Sequence, residues 1–516
     1  LKKLNDVLKE EIIEFRENGH KFLNKELNVA QFRGISGGMG VYAHRGGKEF
    51  AIRLKTPSGK VTKEDFNKIY EWASRYNLTW IHPTTRQSIQ LHGLGIDDVC
   101  DLMEEAIDYG IYTRGSGGNF PRNVAMSPLS GVEKGEAFDV TPYAEEINKY
   151  IMERVYTYKL PRKIKIAMAT NKKDEPHCTV TDLGFLAVNK DGEKLFKVYL
   201  GGGLGRNPRI AVEYDELIKG EDVLYHVEAM TNLFIAEGDY NNKNKARIRY
   251  IVERMGEEEF LKCYKKHLEE AISNKNLKID VKEKEIKKEG IKTSRKHARL
   301  VEQKQDGLYS VYFHPVGGKL MIKDLRAILD ATEKMDDVDF RLTMKEGMYI
   351  RNLNGNEAEE ILDLTQNRGG ELKVMQSVSC IGVPICQMGL RNSQELLTNI
   401  LDKLSNENIE KDILPLIHIS GCTNSCGVHE IGAIGFSGKS KRVNNELKSC
   451  FELQVDGDFE IDNSHIGEIY GDIVETEIPN FIYDLYKVLE NKNIEFRNWY
   501  KENKEEFKNL VSKYLV

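Results

Sequence analysis

The chain contains an internal repeat, and the repeat limits its fold more than any other feature. Phe50–Lys60 reads FAIRLKTPSGK and Tyr309–Lys319 reads YSVYFHPVGGK, which sets Lys60 and Lys319 259 positions apart. The same offset pairs Leu94 with Leu353, and Arg86 in TTRQSIQLHGL with Lys345 in TMKEGMYIRNL. One register therefore holds across two strand-like segments and the amphipathic helix between them. That helix is predicted near Lys63 to Tyr76 in the first copy and Ile322 to Lys334 in the second. Strand, helix, strand and a further strand predict a small α+β unit used twice.

Looser echoes follow each small unit. Leu160–Lys165, LPRKIK, lines up with Leu414–His418, LPLIH, and Asp182-Leu183-Gly184 resembles Glu430-Ile431-Gly432. Each half thus reads as a small unit followed by a larger α/β unit. A length of 516 residues exceeds one ordinary core and fits about three domains. The expected boundaries are a helical segment over 1–36, a small unit over 37–114 and a larger one over 115–273. A charged linker covers 274–299, the second small unit 300–370 and the second larger unit 371–516. Within the first segment Leu4, Val7, Leu8, Ile12 and Phe15 share one side of a helix. Helices are predicted over Lys243–Met255 and Glu257–Ser273, separated by Gly256. Asn274–His297 mixes lysine and glutamate and reads as a solvated connector.

Composition excludes some functions. Hydrophobic residues make up 40% and charged residues 30%, as in ordinary globular proteins. A net charge of −6 gives no bulk electrostatic case for nucleic acid. The N-terminal stretch lacks a signal-peptide core, and no segment approaches a membrane span. A monomeric, cytoplasmic protein without a nucleic-acid or membrane partner is expected.

Chemistry concentrates in Val374–Phe436. Cys380 and Cys386 form C-x5-C; Cys422 and Cys426 form C-x3-C, in a setting of Gly382, Pro384, Gly421 and Gly427. Four thiolates suit an iron–sulfur cubane, and tight turns aim backbone N–H groups at its sulfurs. Structural zinc competes, although its pairs are usually C-x2-4-C. Disulfides would need an oxidising compartment. Cys100, Cys178, Cys263 and Cys450 lack ligand spacing and read as ordinary thiols.

C-x5-C followed by G-C-T-N-S-C-G resembles the signature of the sulfite and nitrite reductases that carry sirohaem joined to a [4Fe–4S] cluster. The resemblance runs from about Gly37 to Gly435. It implies an α+β fold of two pseudo-twofold-related repeats with the cofactors between them. It makes Cys380, Cys386, Cys422 and Cys426 the cluster ligands, with the Cys426 sulfur also axial to the sirohaem iron. T-T-R-Q, R-N-V and R-K-x-K match the family's substrate pocket at Arg86, Arg122, Lys163 and Lys165. The same resemblance gives these four residues, with Arg162, Lys345 and Asn424, to sirohaem binding. Cations there would draw electron density toward oxygen and supply protons as each bond to oxygen breaks. If LPRKIKIAMA is a strand, Lys163 and Lys165 share one face and Arg162 shares the other with Ile164. Gly201-Gly202-Gly203 in GGGLGR fails the nucleotide fingerprint; a glycine-rich turn before a helix can hold any anion, and the resemblance places a similar run near the sirohaem carboxylates, with a plain turn as the alternative.

Lys439, Lys441 and Arg442 form a basic loop past the cysteines that reads as solvated, or else as a dock for an acidic donor. No flavin or nicotinamide motif is present, so the donor is expected to be a separate ferredoxin or flavoprotein. The resemblance separates substrates at Lys165: sulfite reductases resemble R-K-x-K and nitrite reductases R-K-x-N. Sulfite is the expected substrate, nitrite the alternative, with a preference of about ten- to a hundredfold from one added cation. A non-catalytic iron–sulfur carrier is the reading from another class, but it leaves the first half of the chain without a task.

Overall fold

A computed structural model describes residues 2–516, with Lys2 described by its backbone only. The repeat is present in three dimensions at the offset read from sequence. Strand Phe50–Leu54 pairs with Ile89–Leu94, setting Phe50 opposite Leu94. Strand Leu308–Phe313 pairs with Met348–Asn354, setting Tyr309 opposite Leu353. The intervening helices are Lys63–Arg75 and Ile322–Thr332. The first starts in a capping box: Thr62 accepts from the Asp65 N–H and the Asp65 carboxylate from the Thr62 N–H, each at 3.0 Å. Its Phe66, Ile69, Trp72 and Ala73 turn to the core as one face.

The two small units are not separate. Each lends its partner an edge strand. Leu320–Met321 of the second copy pairs with Trp80–Pro83 of the first, at Leu320 opposite Ile81. Lys60–Val61 of the first copy pairs with Asp339–Leu342 of the second, at Val61 opposite Phe340. The exchange is reciprocal and covers an edge of each five-stranded sheet. One apolar core results. It runs from Leu4, Leu8, Ile12 and Phe15 of the N-terminal helix Lys2–Leu23 through both copies.

The larger units repeat at a second offset. In the first, Ala125–Met126, Ile166–Ala169 and Leu183–Lys190 run parallel, and Glu193–Leu200 returns antiparallel. In the second, Val378–Ser379, Ile417–Ser420 and Ile434–Val443 run parallel, and Glu446–Val455 returns. Ile166 faces Leu183 as Ile417 faces Ile434, so both strands repeat after 251 residues. The pairings read from sequence, Leu160 with Leu414 and Asp182 with Glu430, miss this value by three residues in opposite directions. Short Leu–Pro and acid–apolar–Gly matches occur at turns and carry no register.

Two further expectations change. The helix predicted from Lys243 begins at Ile248, because the preceding residues turn around Asp239, whose carboxylate accepts from the Asn241 and Asn242 N–H groups at 2.8 Å. The connector has neither helix nor strand and is mostly exposed, as a solvated connector would be, but it is pinned to the protein at a few points. Leu277 is buried, with Ile279 and Val281 packed beside it on the first larger unit. Farther on, the Ile291 N–H donates to Gly307 O at 3.0 Å and Ile291 O accepts from the Gly355 N–H at 2.7 Å. Among the described residues no helix is long and apolar enough to cross a membrane.

Candidate active site

Cys380 directly follows the short strand Val378–Ser379, and Cys422 lies just past Ile417–Ser420. Both therefore sit at the carboxyl ends of adjacent parallel strands, where α/β sheets place ligands. The Gly421 N–H points at the Cys380 sulfur, 3.1 Å away. Gly382 has φ +54°, and a Cβ there would meet the Ser393 amide nitrogen at 2.9 Å, so only glycine fits this bend. Cys380 is pushed up to about 12 by burial and by Cys426; Cys386 and Cys422 are raised by burial and then by neighbouring thiols. Asn424 hydrogen-bonds toward the Cys422 sulfur and so faces the thiol group. Cys100, Cys178 and Cys450 are buried free thiols and Cys263 is partly exposed.

The TTRQ turn meets the cysteines from the first half. Thr85 Oγ1 donates to Cys426 O at 2.9 Å, which brings Arg86 alongside. Arg86 donates through Nη2 to Asn123 O (2.8 Å) and Ile166 O (3.1 Å). Lys163 and Lys165 precede the strand Ile166–Ala169, which starts later than LPRKIKIAMA predicts; only Ile164 bridges, to Pro121. Even so, Ile164 is buried in the apolar core while both lysines stay partly exposed. Burial, Arg86 and Arg247 hold Lys165 down to about 7, with Asp182 and Cys426 opposing. Burial and then Lys165 hold Lys163 far below an ordinary lysine. Arg162 lies in the same field, lowered by burial and Arg247.

Arg122 differs from expectation. Its guanidinium turns inward and donates to Gly117 O (2.7 Å), Gly118 O (2.8 Å) and Phe120 O (3.0 Å). In this state it holds the GSGGNF loop, and reaching an anion requires giving up those carbonyls.

Sequence reading missed three residues here. Asp182, fully buried, accepts from Arg247 Nη2 and from the Lys165 N–H, both at 2.7 Å. Arg249 stacks on Tyr250 and donates to Arg206 O at 2.7 Å. The signal was KARIRY, with arginines two apart, but in a helix such residues do not share a face. Arg247 is in fact an extended N-cap residue (φ −79°, ψ 154°), so both arginines reach the basin.

Three sequence assignments need correcting. Gly201–Gly203 does not open a helix. Its Gly201 and Gly203 N–H groups are taken by Asp182 O and Arg209 O, and the Gly205 N–H by Glu430 Oε1 (2.6 Å), leaving these three unavailable to an anion. The glycines allow close packing instead: a Cβ on Gly202 would lie 2.8 Å from Thr179 O, and one on Gly203 2.9 Å from Arg249 Nη1. Lys345 lies in a separate cavity, 3.4 Å from Glu175 Oε1, because it belongs to the other copy's equivalent of the Arg86 turn. Lys439 and Lys441 lie in a strand rather than a loop, and Asp472 and Glu452 neutralise them at 2.7–3.1 Å.

Comparison with known proteins agrees with this geometry. The model for the nitrite/sulfite reductase ferredoxin-like half domain matches residues 42–109 and 301–368, again 259 apart. The nitrite and sulphite reductase 4Fe-4S domain model matches residues 117–272. Together the matches span more than half of the chain. The chain belongs to the nitrite and sulfite reductase family. It is 25% identical to the assimilatory ferredoxin-dependent nitrite reductase of Haloferax mediterranei, over 96% of this chain and 89% of that one. It is also 25% identical to sulfite reductase [ferredoxin] 1 of Mycolicibacterium paratuberculosis, over 76% of this chain and 70% of that one. The fold matches the Mycobacterium tuberculosis NirA protein at a TM-score of 0.79 and 20% identity, covering 98% and 97% of the two chains.

The family's cofactors are sirohaem and a [4Fe–4S] cluster, and this chain's residues fit both. Arg86 Nε, Arg247 Nε and Arg249 Nε and Nη1 are buried without a hydrogen-bond partner, a cost that an anionic macrocycle with several carboxylates would remove. Among the described residues no three His, Cys, Asp or Glu side chains converge as one bound ion requires. A cubane takes each thiolate at a different iron, so spaced thiols suit it better than zinc. Cys380, Cys386, Cys422 and Cys426 would hold the cluster, and Arg86, Arg162, Arg247 and Arg249 the sirohaem carboxylates.

Proposed function

We propose that this chain reduces sulfite to sulfide, taking electrons singly from a ferredoxin-type donor and acting as a monomer. Lys165 carries the choice of sulfite: it is the second lysine of R-K-x-K, and Arg86 and Cys426 both act on its charge. The bound sirohaem supplies the iron site for the substrate, and the cluster supplies its electrons. The protein's own part is electrostatic and protonic. Arg86 stays cationic and, with its Nη2 held by Asn123 O and Ile166 O, offers its remaining N–H groups to the oxygens of cofactor and substrate. Lys165, held to about 7, gives up a proton at neutral pH more readily than an ordinary lysine, and takes one back from water. Lys163 lies beside it and cannot easily be charged at the same time, so the pair passes protons instead of storing two. Arg122 joins when its loop yields.

Nitrite is the second reading. It is supported by relatives named ferredoxin-dependent nitrite reductases, including the archaeal one that spans nearly the whole chain. Their names also support the donor. A bare electron carrier would have no use for the cation basin. The test is the ratio of kcat/KM for sulfite and nitrite with one reduced ferredoxin. A ratio favouring nitrite transfers the assignment. Absence of tetrapyrrole absorption from fully metallated protein would remove the reductase reading altogether.

A further inference from the structure

Behind the cluster cysteines lies a buried carboxyl group that the reaction described above does not use. Glu346 sits in the TMKEG turn at φ +63°, only 1% exposed. Its Oε2 accepts from the Ser379 N–H at 3.0 Å, one residue before Cys380. The repeat supplies an internal control. The residue 259 positions earlier is Gln87, also at positive φ (+53°) and fully buried, whose Oε1 accepts from the Met126 N–H at 2.9 Å. Met126 occupies in the first sheet the strand position that Ser379 occupies in the second. Gln87 Nε2 also serves Met126 O; beside the cysteines a different residue, Gln394, serves Ser379 O at 2.7 Å. An amide therefore fills this seat structurally, and the copy facing the cluster has a carboxyl instead.

His82 gives that carboxyl a partner. Its Nδ1 donates to Gly318 O at 2.8 Å, which leaves Nε2 bare toward Glu346 Oε1, 3.7 Å away. A bare ring nitrogen facing a carboxyl group leaves room for one shared proton. His92, with its ring 6.3 Å from that of His82, and His44, 3.3 Å from His92, lead outward to Glu49 on the surface. The other titratable groups facing the pair are Arg53 and Lys319 toward His82 and Tyr312 toward Glu346. No free anion among them competes for the proton.

We infer that Glu346 with His82 is a proton store coupled to the cluster, filled when the cluster is reduced and emptied when it is oxidised. One electron from the donor enters the cluster; one proton from solvent forms an O–H bond on the Glu346 carboxylate; oxidation returns both. The added negative charge favours the protonated acid, and burial has already raised this carboxyl to about 8. Uptake therefore occurs above that pH, where the oxidised state has lost the proton and the reduced state retains it.

The test is an EPR-monitored redox titration of the cluster in the holoenzyme from about pH 6 to 10. In the wild type the potential should be flat below about pH 8 and fall above it, with a slope approaching one proton per electron. In Glu346→Gln, which copies the Gln87 seat, it should be flat throughout. A reduced-minus-oxidised infrared spectrum of the wild type at about pH 9 should show a protonated-carboxyl band, and this readout needs no variant to fold. A flat wild-type profile, an unchanged slope in Glu346→Gln, or a wild-type spectrum without a carboxyl band overturns the inference.

Discussion

Replacing Lys165 with asparagine should move the enzyme toward nitrite, and the structure sets how far. A unit cation at about 4 Å attracts each unit of anionic charge by roughly 4 kcal/mol at an effective dielectric near 20. Sulfite as a dianion carries one unit more than nitrite. Lys165 is held to about 7, however, so at neutral pH it carries its charge only about half of the time. That halves the advantage to about 2 kcal/mol, and water in the open pocket with partial protonation of sulfite leaves on the order of 1 kcal/mol. The expected effect is about fivefold, below the ten- to hundredfold expected from sequence, where an ordinary, fully charged lysine is assumed. The assay is the sulfite-to-nitrite ratio of kcat/KM for wild type divided by that for Lys165→Asn, with one donor. Dividing cancels what the two enzymes share but not the protonation of sulfite, because Lys165 favours only the dianion. The quotient should therefore be greatest near pH 7, where dianion and charged lysine coexist, and approach one toward about pH 9, as Lys165 loses its proton through about 7. A quotient of one at every pH, or one that keeps rising to about pH 9, refutes the reasoning.

Other outcomes follow from the same geometry. Cys426→Ser should lose tetrapyrrole absorption and activity, because serine is a poor ligand for iron, whereas Cys263→Ser, on a partly exposed thiol elsewhere, should keep both. Val61→Asp places a charge at the exchanged strand, opposite Phe340 in the shared core, and should cost on the order of 3–5 kcal/mol, read as an earlier urea midpoint for both small units together. The cofactor-free protein should gain stability as pH rises from about 7 toward 10: Lys165 is depressed when folded, so the unfolded chain binds more protons across that window, and the stability is lost again as pH falls through about 7. Thermal melting across that range should show a shallower rise in Lys165→Asn.

The small units could be read from sequence because β-strand pairing and amphipathic helices leave a periodic record. An offset fixed at Lys60 and Lys319 reappears in the Phe50–Leu94 and Tyr309–Leu353 pairs. The strand exchange could not be read in the same way. Lys60–Val61 and Leu320–Met321 are two residues long, and strands of that length show no preference for their own sheet over a neighbour's. At the site, the cysteines and the TTRQ and R-K-x-K cations were legible as local motifs. Arg247 and Asp182 were not: they meet across 65 positions of sequence, and each alone resembles a surface charge. Glycine misled in the other direction. GGGLGR looks like an anion cradle, yet three of its N–H groups have internal acceptors, which no local pattern records.

A fold built on a pseudo-twofold offers two equivalent seats, and the side chains of this chain suit only one of them to an anionic cofactor. The turn that carries Cys422 and Cys426 is matched 251 positions earlier by Asn171 and Glu175, with the same left-handed residues: Asp174 and His177 mirror Ser425 and Val428. At the mirrored seat Lys345 stands for Arg86, but Leu414 and Leu416 stand where Lys163 and Lys165 would. Glu175, in the place of Cys426, pairs with Lys345 across a cavity of about 180 Å³. A polycarboxylate entering there would find its one cation already neutralised and no thiolate to bind iron. At the other seat the opposite holds: Arg86, Arg247 and Arg249 are left with unpaired buried nitrogens. Unpaired buried donors are expensive in the free protein, and an anionic cofactor removes that expense on binding. The copy that tolerates the expense is the one fitted to an anionic cofactor, and the copy that neutralised itself is not.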